Sequence, residues 1–237
     1  MLKDFNTIEF VDWDTDKVEE YSKHLYTIFQ YNEDLDKTAY LNWRMDSRRS
    51  DRHKFVIMGE AYFSTAYALI QICLEDNSDK KADVWIFPIL FNIVHGIEVY
   101  LKAINVVLNV VLNKPRVTIQ GGHDIKQLCS IAKHLLIEYR DLDINETKKQ
   151  MYAALKAVER FIANIYEKTG DMTFARYPIT DRNEDHFYVK ALQNEVVDLE
   201  LLEEQMVVIY NSLDFIYEMP ELEMELYAEM MSDMMVY

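Results

Sequence analysis

The sequence predicts an all-α fold, a helical bundle built around one long apolar central helix. Three observations predict it. Glycine (5) and proline (4) are scarce in 237 residues, and the repeated tight turns of sandwiches and barrels need both. Half the chain is apolar and 13% is aromatic, which supplies a core and argues against disorder. Apolar residues also recur at helical spacing in one segment after another, the longest running from about 83 to 112.

Taken in order, residues 1–13 read as an extended leader, an edge strand or a packed arm. Asp14 or Thr15 is placed to cap a helix through about Tyr31, with Val18, Tyr21, Leu25, Ile28 and Phe29 on one face. The polar, basic stretch 32–51 is expected to be a loop with a short helix. A long helix follows from about Arg52 to Leu74, and its small residues Gly59, Ala61, Ser64 and Ala66 permit close helix contact. Residues 76–81 link it to the central helix, which begins near Asp83. Pro88 lies close to its first turns, where a missing N–H costs least. This helix is apolar nearly all round, the pattern of a helix surrounded by others.

Asn113-Lys114-Pro115 breaks the central helix, and Gly121-Gly122 turns the chain into a helix from His123 to about Arg140. Ile125, Leu128, Cys129, Ala132, Leu135 and Leu136 give that helix one apolar stripe. Asn145 is placed to cap a further helix through Lys168, ended by Gly170. Residues 172–189, with Pro178, are expected to form a loop or a short strand pair. A last long helix covers about 197–217. Pro220 then introduces an acidic, Met-rich tail where Leu222, Leu226, Met230 and Met234 recur at helical spacing. The expected organisation is an N-terminal arm and first helix packed on the core (1–51), the bundle (52–217) and an acidic C-terminal helix (218–237).

The longest apolar stretch could span a bilayer by length, but Asn92, His95, Glu98, Lys102, Asn105 and Asn109 interrupt it. Charges in the middle of a span cost several kcal/mol, so a core helix is the expectation, with no membrane partner. The N-terminus has no apolar signal core behind a basic start, and a cytoplasmic location is expected. Cys73 and Cys129 sit inside helical patterns and are expected to be lone buried thiols. Neither their number nor their spacing suits a disulfide framework or a metal site, and no metal or cofactor is expected. The net charge of −16 opposes polyanion binding at long range. Residues 218–237 carry six acids and no Lys or Arg, whereas Arg44, Arg48, Arg49, Arg52, His53 and Lys54 form a local basic cluster. That cluster leaves room for a local nucleic-acid contact, without the footprint of a dedicated DNA binder.

Three polar features could carry chemistry. His95, Glu98 and Lys102 share one face of the central helix, and Glu98–Lys102 is a favourable i,i+4 pair. Buried charge must be paired, so this face is either a structural ion pair at a helix seam or the floor of a site. In Gly122-His123-Asp124-Ile125, His123 or Asp124 can cap the next helix, and capping alone accounts for the tetrapeptide. The third feature is the run from Phe174 to Tyr188, which holds Arg176, Arg182, Asn183 and His186. Arginine can clamp a phosphate and histidine can move a proton near neutral pH. Solvated side chains paired with Asp181, Glu184 and Asp185 explain the same residues.

The stretch Phe91-Asn-Ile-Val-His95-Gly-Ile-Glu98-Val-Tyr100-Leu-Lys102-Ala103, followed by Gly122-His123-Asp124-Ile125 and Leu128, resembles the HEPN superfamily of helical bundles from prokaryotic toxin–antitoxin and phage-defence systems. The resemblance is best over about residues 55–215 and leaves out the leader and the tail. It implies a HEPN-like helical bundle, all-α, that forms a homodimer in which the motifs of two subunits face one cleft. Many members are metal-independent ribonucleases with an Arg-x(4–6)-His motif. In these the 2′-hydroxyl attacks the adjacent phosphate, His transfers protons and Arg holds the phosphate. Carried over, His186 would be the general acid/base, Arg182 or Arg176 would hold the phosphate, and Asn183 would assist. Tyr188 would be the Tyr of a His-x-Tyr ending that a partner nucleotidyltransferase adenylylates. The sequence departs from the motif: only three residues separate Arg182 from His186, and nine separate Arg176 from it. Arg48–His53 and Arg116–His123 fit by spacing but lie away from the last helix.

Two functions are therefore weighed. One is an endoribonuclease toxin of prokaryotic or phage-related defence, with an RNA substrate and an antitoxin or other protein partner. The other is a catalytically inactive bundle that binds a partner protein or nucleotide, with Glu98, Lys102 and His123 structural.

Overall fold

A computed structural model describes residues 19, 28–45, 47–114, 122–139, 146–170, 173–180 and 182–235. The chain forms two compact units, Met1–Trp43 and Arg44–Tyr237. In the first unit Glu19 is helical but residues 28–30 are bends, so the expected first helix stops short of Ile28. The leader and the rest of that helix lie outside the described residues. A 3₁₀ turn, Leu35–Lys37, is started by the Asp34 carboxylate, which accepts the Asp36 N–H at 3.1 Å. Tyr40 packs beside Tyr31 and Trp43, with ring centroids 6.1 and 6.3 Å away.

The second unit is built from α1 (Asp51–Glu75), α2 (Ala82–Val111), α3 (Ile125–Glu138), α4 (Glu146–Thr169), the single turn α5 (Phe187–Lys190) and α6 (Leu199–Met235). No strand occurs among the described residues; the expected strand pair near 172–189 reduces to one bridge between Ile179 and Asp185. A run of seven residues with a turn in its middle is too short to support a ladder. The protein is thus all-α, as its composition predicts.

Helix α2 is the centre. It packs along α1, against α3 and against α6, while α4 closes the other side on α6 and α3. Ile89, Ile93, Ile97, Leu101, Ile104 and Leu108 of α2 are completely buried. By length and mean hydropathy both α1 and α2 could cross a membrane. For α2, the bundle gives that apolar length a use within the protein, because other helices cover it.

Helices α1 and α2 form a hairpin over residues 76–81, where the Asn77 side chain caps α2 by accepting the Ala82 N–H at 3.0 Å. Their contact is close because of two glycines. A Cβ on Gly59 would lie 2.5 Å from Tyr100 Cδ2, and one on Gly96 would lie 2.9 Å from Phe63 Cδ2. Of the small residues expected at this contact, Gly59 and Ala66 are buried, whereas Ala61 and Ser64 face solvent.

Helix α3 starts at Ile125, two residues after the expected His123. Asp124 is the cap, its carboxylate accepting the Gln127 N–H at 3.1 Å. Asn105 ties α2 to α3 by donating to the Leu128 carbonyl at 3.1 Å. Asp124→Ala should lower stability by about 1 kcal/mol, the usual value of such a cap, read as a shift of the urea midpoint at constant slope. Cys73 and Cys129 are free and buried, and burial pushes the Cys129 thiol up to about 12.

Helix α6 corrects the expected C-terminal boundary. It does not end near Tyr217 but continues through Pro220 to Met235. Proline removes one N–H and crowds the preceding turn, yet here the turn is held by tertiary contacts. Pro220 is buried, and Glu221 receives two hydrogen bonds from the Arg52 guanidinium and one, at 3.1 Å, from the Tyr217 hydroxyl. The acidic tail is therefore the end of the bundle's own helix.

Candidate functional site

Among the described residues, two places gather the polar groups that the sequence singles out, and they differ in how well they are assembled. The first is centred on Glu98, which faces inward from the middle of α2 and is only 6% exposed. Lys102, one turn on, donates to its Oε1 at 2.6 Å. His123, from the loop before α3, puts Nδ1 2.8 Å from the same oxygen. His95 Nδ1 lies 3.4 Å from the other carboxylate oxygen. Burial alone would push the Glu98 carboxyl up, but the contacts from His95, Lys102 and His123 outweigh it and hold the group at about 2. Glu98 therefore remains ionised through the physiological range.

Each partner is held differently. The His95 ring stacks on Phe91 at 5.5 Å and meets the edge of Tyr62 at 4.5 Å, which fixes it in the α1–α2 seam. The Lys102 side chain is 13% exposed, whereas the His123 side chain is 82% exposed. The Nδ1 of His123 is committed to the carboxylate, and the rest of its ring is open to solvent. Chemically this is a tethered surface imidazole beside a neutralised ion pair. Its lysine is engaged by Glu98, so it is no ready phosphate clamp. The sequence contains every member but presents His123 as a helix cap; only the fold brings it to Glu98 across 25 positions. No group of three metal-binding side chains occurs among the described residues.

The second place is the loop between α4 and α6. A tight turn is built on Thr180, which accepts the Asn183 N–H at 2.9 Å through its carbonyl and the Glu184 N–H at 3.1 Å through its hydroxyl. Asn183 has φ 59°, a left-handed conformation that Asn tolerates better than most residues. Arg182 and Asn183 are exposed at the tip of this turn, and Arg176 is exposed beside Tyr177. His186 lies at the base, 3% exposed, and its Nε2 is buried without a hydrogen-bond partner. Its ring stacks on Tyr188 at 5.8 Å. Tyr188 packs against Phe87 of α2 at 5.3 Å, and Phe187 against buried Phe174 at 5.8 Å.

This aromatic clasp holds the loop to the bundle and turns His186 inward. Among the described residues no hydrogen bond or ion pair joins Arg176 or Arg182 to His186. Asp181 and Arg116 lie outside the described residues. In the basic cluster, Arg49 is hydrogen-bonded to His53 at 2.6 Å and Lys54 is 3.6 Å from Asp51. Arg52, which the sequence places among the bases, is committed to Glu221, and that carboxylate holds its guanidinium above the usual range. Nothing in the local sequence pairs positions so far apart. When the chain is compared with family models, curated proteins and solved structures, none of them matches it.

Proposed function

We propose that the protein is a HEPN-like bundle of prokaryotic or phage-related defence, acting as a homodimer that binds a partner protein rather than cleaving RNA at His186. The observation that carries this reading is the loop at 173–190. A general acid/base must come within hydrogen-bond reach of the proton it moves. His186 is almost wholly buried, with Tyr188 stacked on its ring, while both arginines that would hold a phosphate stand in solvent. The gap of three residues between Arg182 and His186 is consistent with this. His95, Glu98, Lys102 and His123 then act as a structural lock between α2 and the start of α3.

A ribonuclease remains the second reading, and one observation favours it. The buried Nε2 of His186 has no partner, and such an atom normally carries a cost that function can explain. The test is an incubation of the purified protein with labelled RNA in EDTA, beside His186→Ala and Arg182→Ala. The expected result is no cleavage by any of the three, and any growth effect on expression unchanged in both variants. Cleavage by the wild type that both variants lose would establish the nuclease instead.

A further inference from the structure

The first unit carries a group of aromatic rings that face solvent rather than a core. Tyr31, Tyr40 and Trp43 are 77, 44 and 75% exposed. They nevertheless lie ring to ring, with Tyr40 in the middle and its neighbours turned 61° and 53° from its plane. The chain that carries them is hydrogen-bonded into shape. The Asn32 N–H donates to the Thr38 hydroxyl at 3.3 Å, and the Asn32 side chain accepts the Asp34 N–H at 2.9 Å. The loop so closed holds the 3₁₀ turn Leu35–Lys37 and returns the chain, which sets Tyr40 beside Tyr31. A second turn, in which the Trp43 N–H donates to the Tyr40 carbonyl at 3.3 Å, brings Trp43 to Tyr40.

Single exposed rings are ordinary, but three held together in water form a patch that a partner can cover. Trp and Tyr are also enriched among the residues that carry most of the energy of protein interfaces. The charges around them say which kind of partner fits. Residues 31–43 hold Glu33, Asp34 and Asp36 against Lys37 alone, and Lys37 is taken by Asp34 at 3.0 Å. Glu33 and Asp36 are exposed and make no ion pair among the described residues. The face of an aromatic ring attracts a cation, and two adjacent rings tilted as Tyr40 and Trp43 are offer a corner in which one cation meets both. The two carboxylates add to the same attraction. Bases of a single-stranded nucleic acid can also stack on exposed rings, but here the phosphates would meet those carboxylates. The basic residues that follow belong to the second unit, where Arg49 is bonded to His53 and Arg52 to Glu221.

We propose that Tyr31, Tyr40 and Trp43, with Glu33 and Asp36, form a docking surface for a cationic segment of a partner protein. Arginine suits it best, because a planar guanidinium stacks on a ring face and still directs N–H groups to a carboxylate. The inference rests on the partner-binding reading above and names the chemistry of that contact.

Fluorescence anisotropy of labelled probes with the full chain tests it, in about 0.15 M salt so that distant charge is screened. The probes are a short peptide of alternating Arg and Ser, the same peptide with Gln for Arg, and a short oligouridylate. The Arg peptide should bind and the other two should not. Trp43→Ala and Tyr40→Ala should each weaken binding by about fivefold or more. Tyr40→Phe should preserve it, since the ring face remains, and circular dichroism should be unchanged in all three variants. Bulk charge is separated by two double variants that remove the same charge. Glu33→Gln/Asp36→Asn should weaken binding, whereas Glu225→Gln/Glu229→Gln on α6 should not. Equal effects of these two, or binding indifferent to Trp43→Ala and Tyr40→Ala, would show attraction to net charge alone and overturn the surface. Equal binding of the Gln peptide, or oligouridylate binding that Trp43→Ala abolishes, would overturn the cationic partner. No binding of the Arg peptide would overturn the docking surface and leave the partner-binding reading to the RNA assay above.

Discussion

Replacing Glu98 with Leu should destabilise the fold by about 3 kcal/mol, because a buried ion pair that loses one member leaves the other charge uncompensated. Lys102 is 13% exposed and its ammonium now rests on Glu98 Oε1; without the carboxylate it must stretch to water or lose hydration. His123 loses its tether, so the loop before α3 should also exchange amide hydrogens faster. The double variant Glu98→Leu/Lys102→Leu should recover most of the loss, since well-packed apolar residues often replace a buried pair at little cost. Urea denaturation of the three proteins measures this. A double variant no better than the single would mean that the histidine contacts, rather than the stranded lysine, set the cost.

The same group gives a pH dependence of known sign. The folded Glu98 carboxyl sits at about 2, below its ordinary 4.5. Its stabilisation is therefore complete above 4.5 and is lost as pH falls from there towards 2. The shift corresponds to roughly 3 kcal/mol by linkage. Asp214 and Glu218 act in the opposite sense. Burial pushes Asp214 up, against the Tyr100 hydroxyl that donates to it at 3.3 Å. Burial also raises Glu218, helped by Asp214, Glu221, Glu225 and Glu60 around it. These two favour the folded state at low pH and lose that contribution as pH rises through their folded values. The wild-type curve in acid is thus a difference between opposing groups. Subtracting the curve of Glu98→Gln isolates Glu98, because a protonated carboxyl and an amide are near equivalents. The two curves should differ most near neutrality and converge by about pH 2; parallel curves would refute the assignment.

Gly59→Val should cost about 3 kcal/mol, the upper range for overpacking a close-packed core. The first added carbon already meets Tyr100 Cδ2 at 2.5 Å, and that ring is wholly buried. It cannot swing aside, because Phe63 and Tyr210 pack on it edge-on at 6.1 and 5.9 Å. Gly59→Ala should cost less, the same clash being partly offset by the better helix propensity of Ala, worth up to about 1 kcal/mol. Shortening the opposed side chain in Gly59→Val/Tyr100→Val should restore part of the loss, giving non-additive energies for two residues in contact. Additive losses would show that the two positions do not compete for the same space.

Much of the fold is legible locally. The central helix was placable to within a residue at each end, because an unbroken apolar run needs no partner to be recognised as a core element. The close contact of α1 was also readable from Gly59, though not the identity of its neighbour, since Tyr100 lies on another helix. Pro220 misled for a physical reason. Its local effect is to stop a helix, and tertiary contacts, among them those of Glu221 with Arg52 and Tyr217, hold that turn in place. The candidate site divides in the same way. Glu98 and Lys102 announce themselves by i,i+4 spacing, whereas His186 carries nothing in its neighbours to say that Tyr188 and the bundle enclose it.

By itself the sequence determined the all-α class, the central position of α2, the free buried cysteines and the need of Glu98 for partners, because each follows from composition, periodicity or the cost of buried charge. Tertiary structure alone decided that His123 reaches Glu98, that Arg52 belongs to Glu221, that α6 runs on past the start of α1, and that His186 is buried. These are meetings between residues far apart in the chain, and a local pattern holds no information about distance through space.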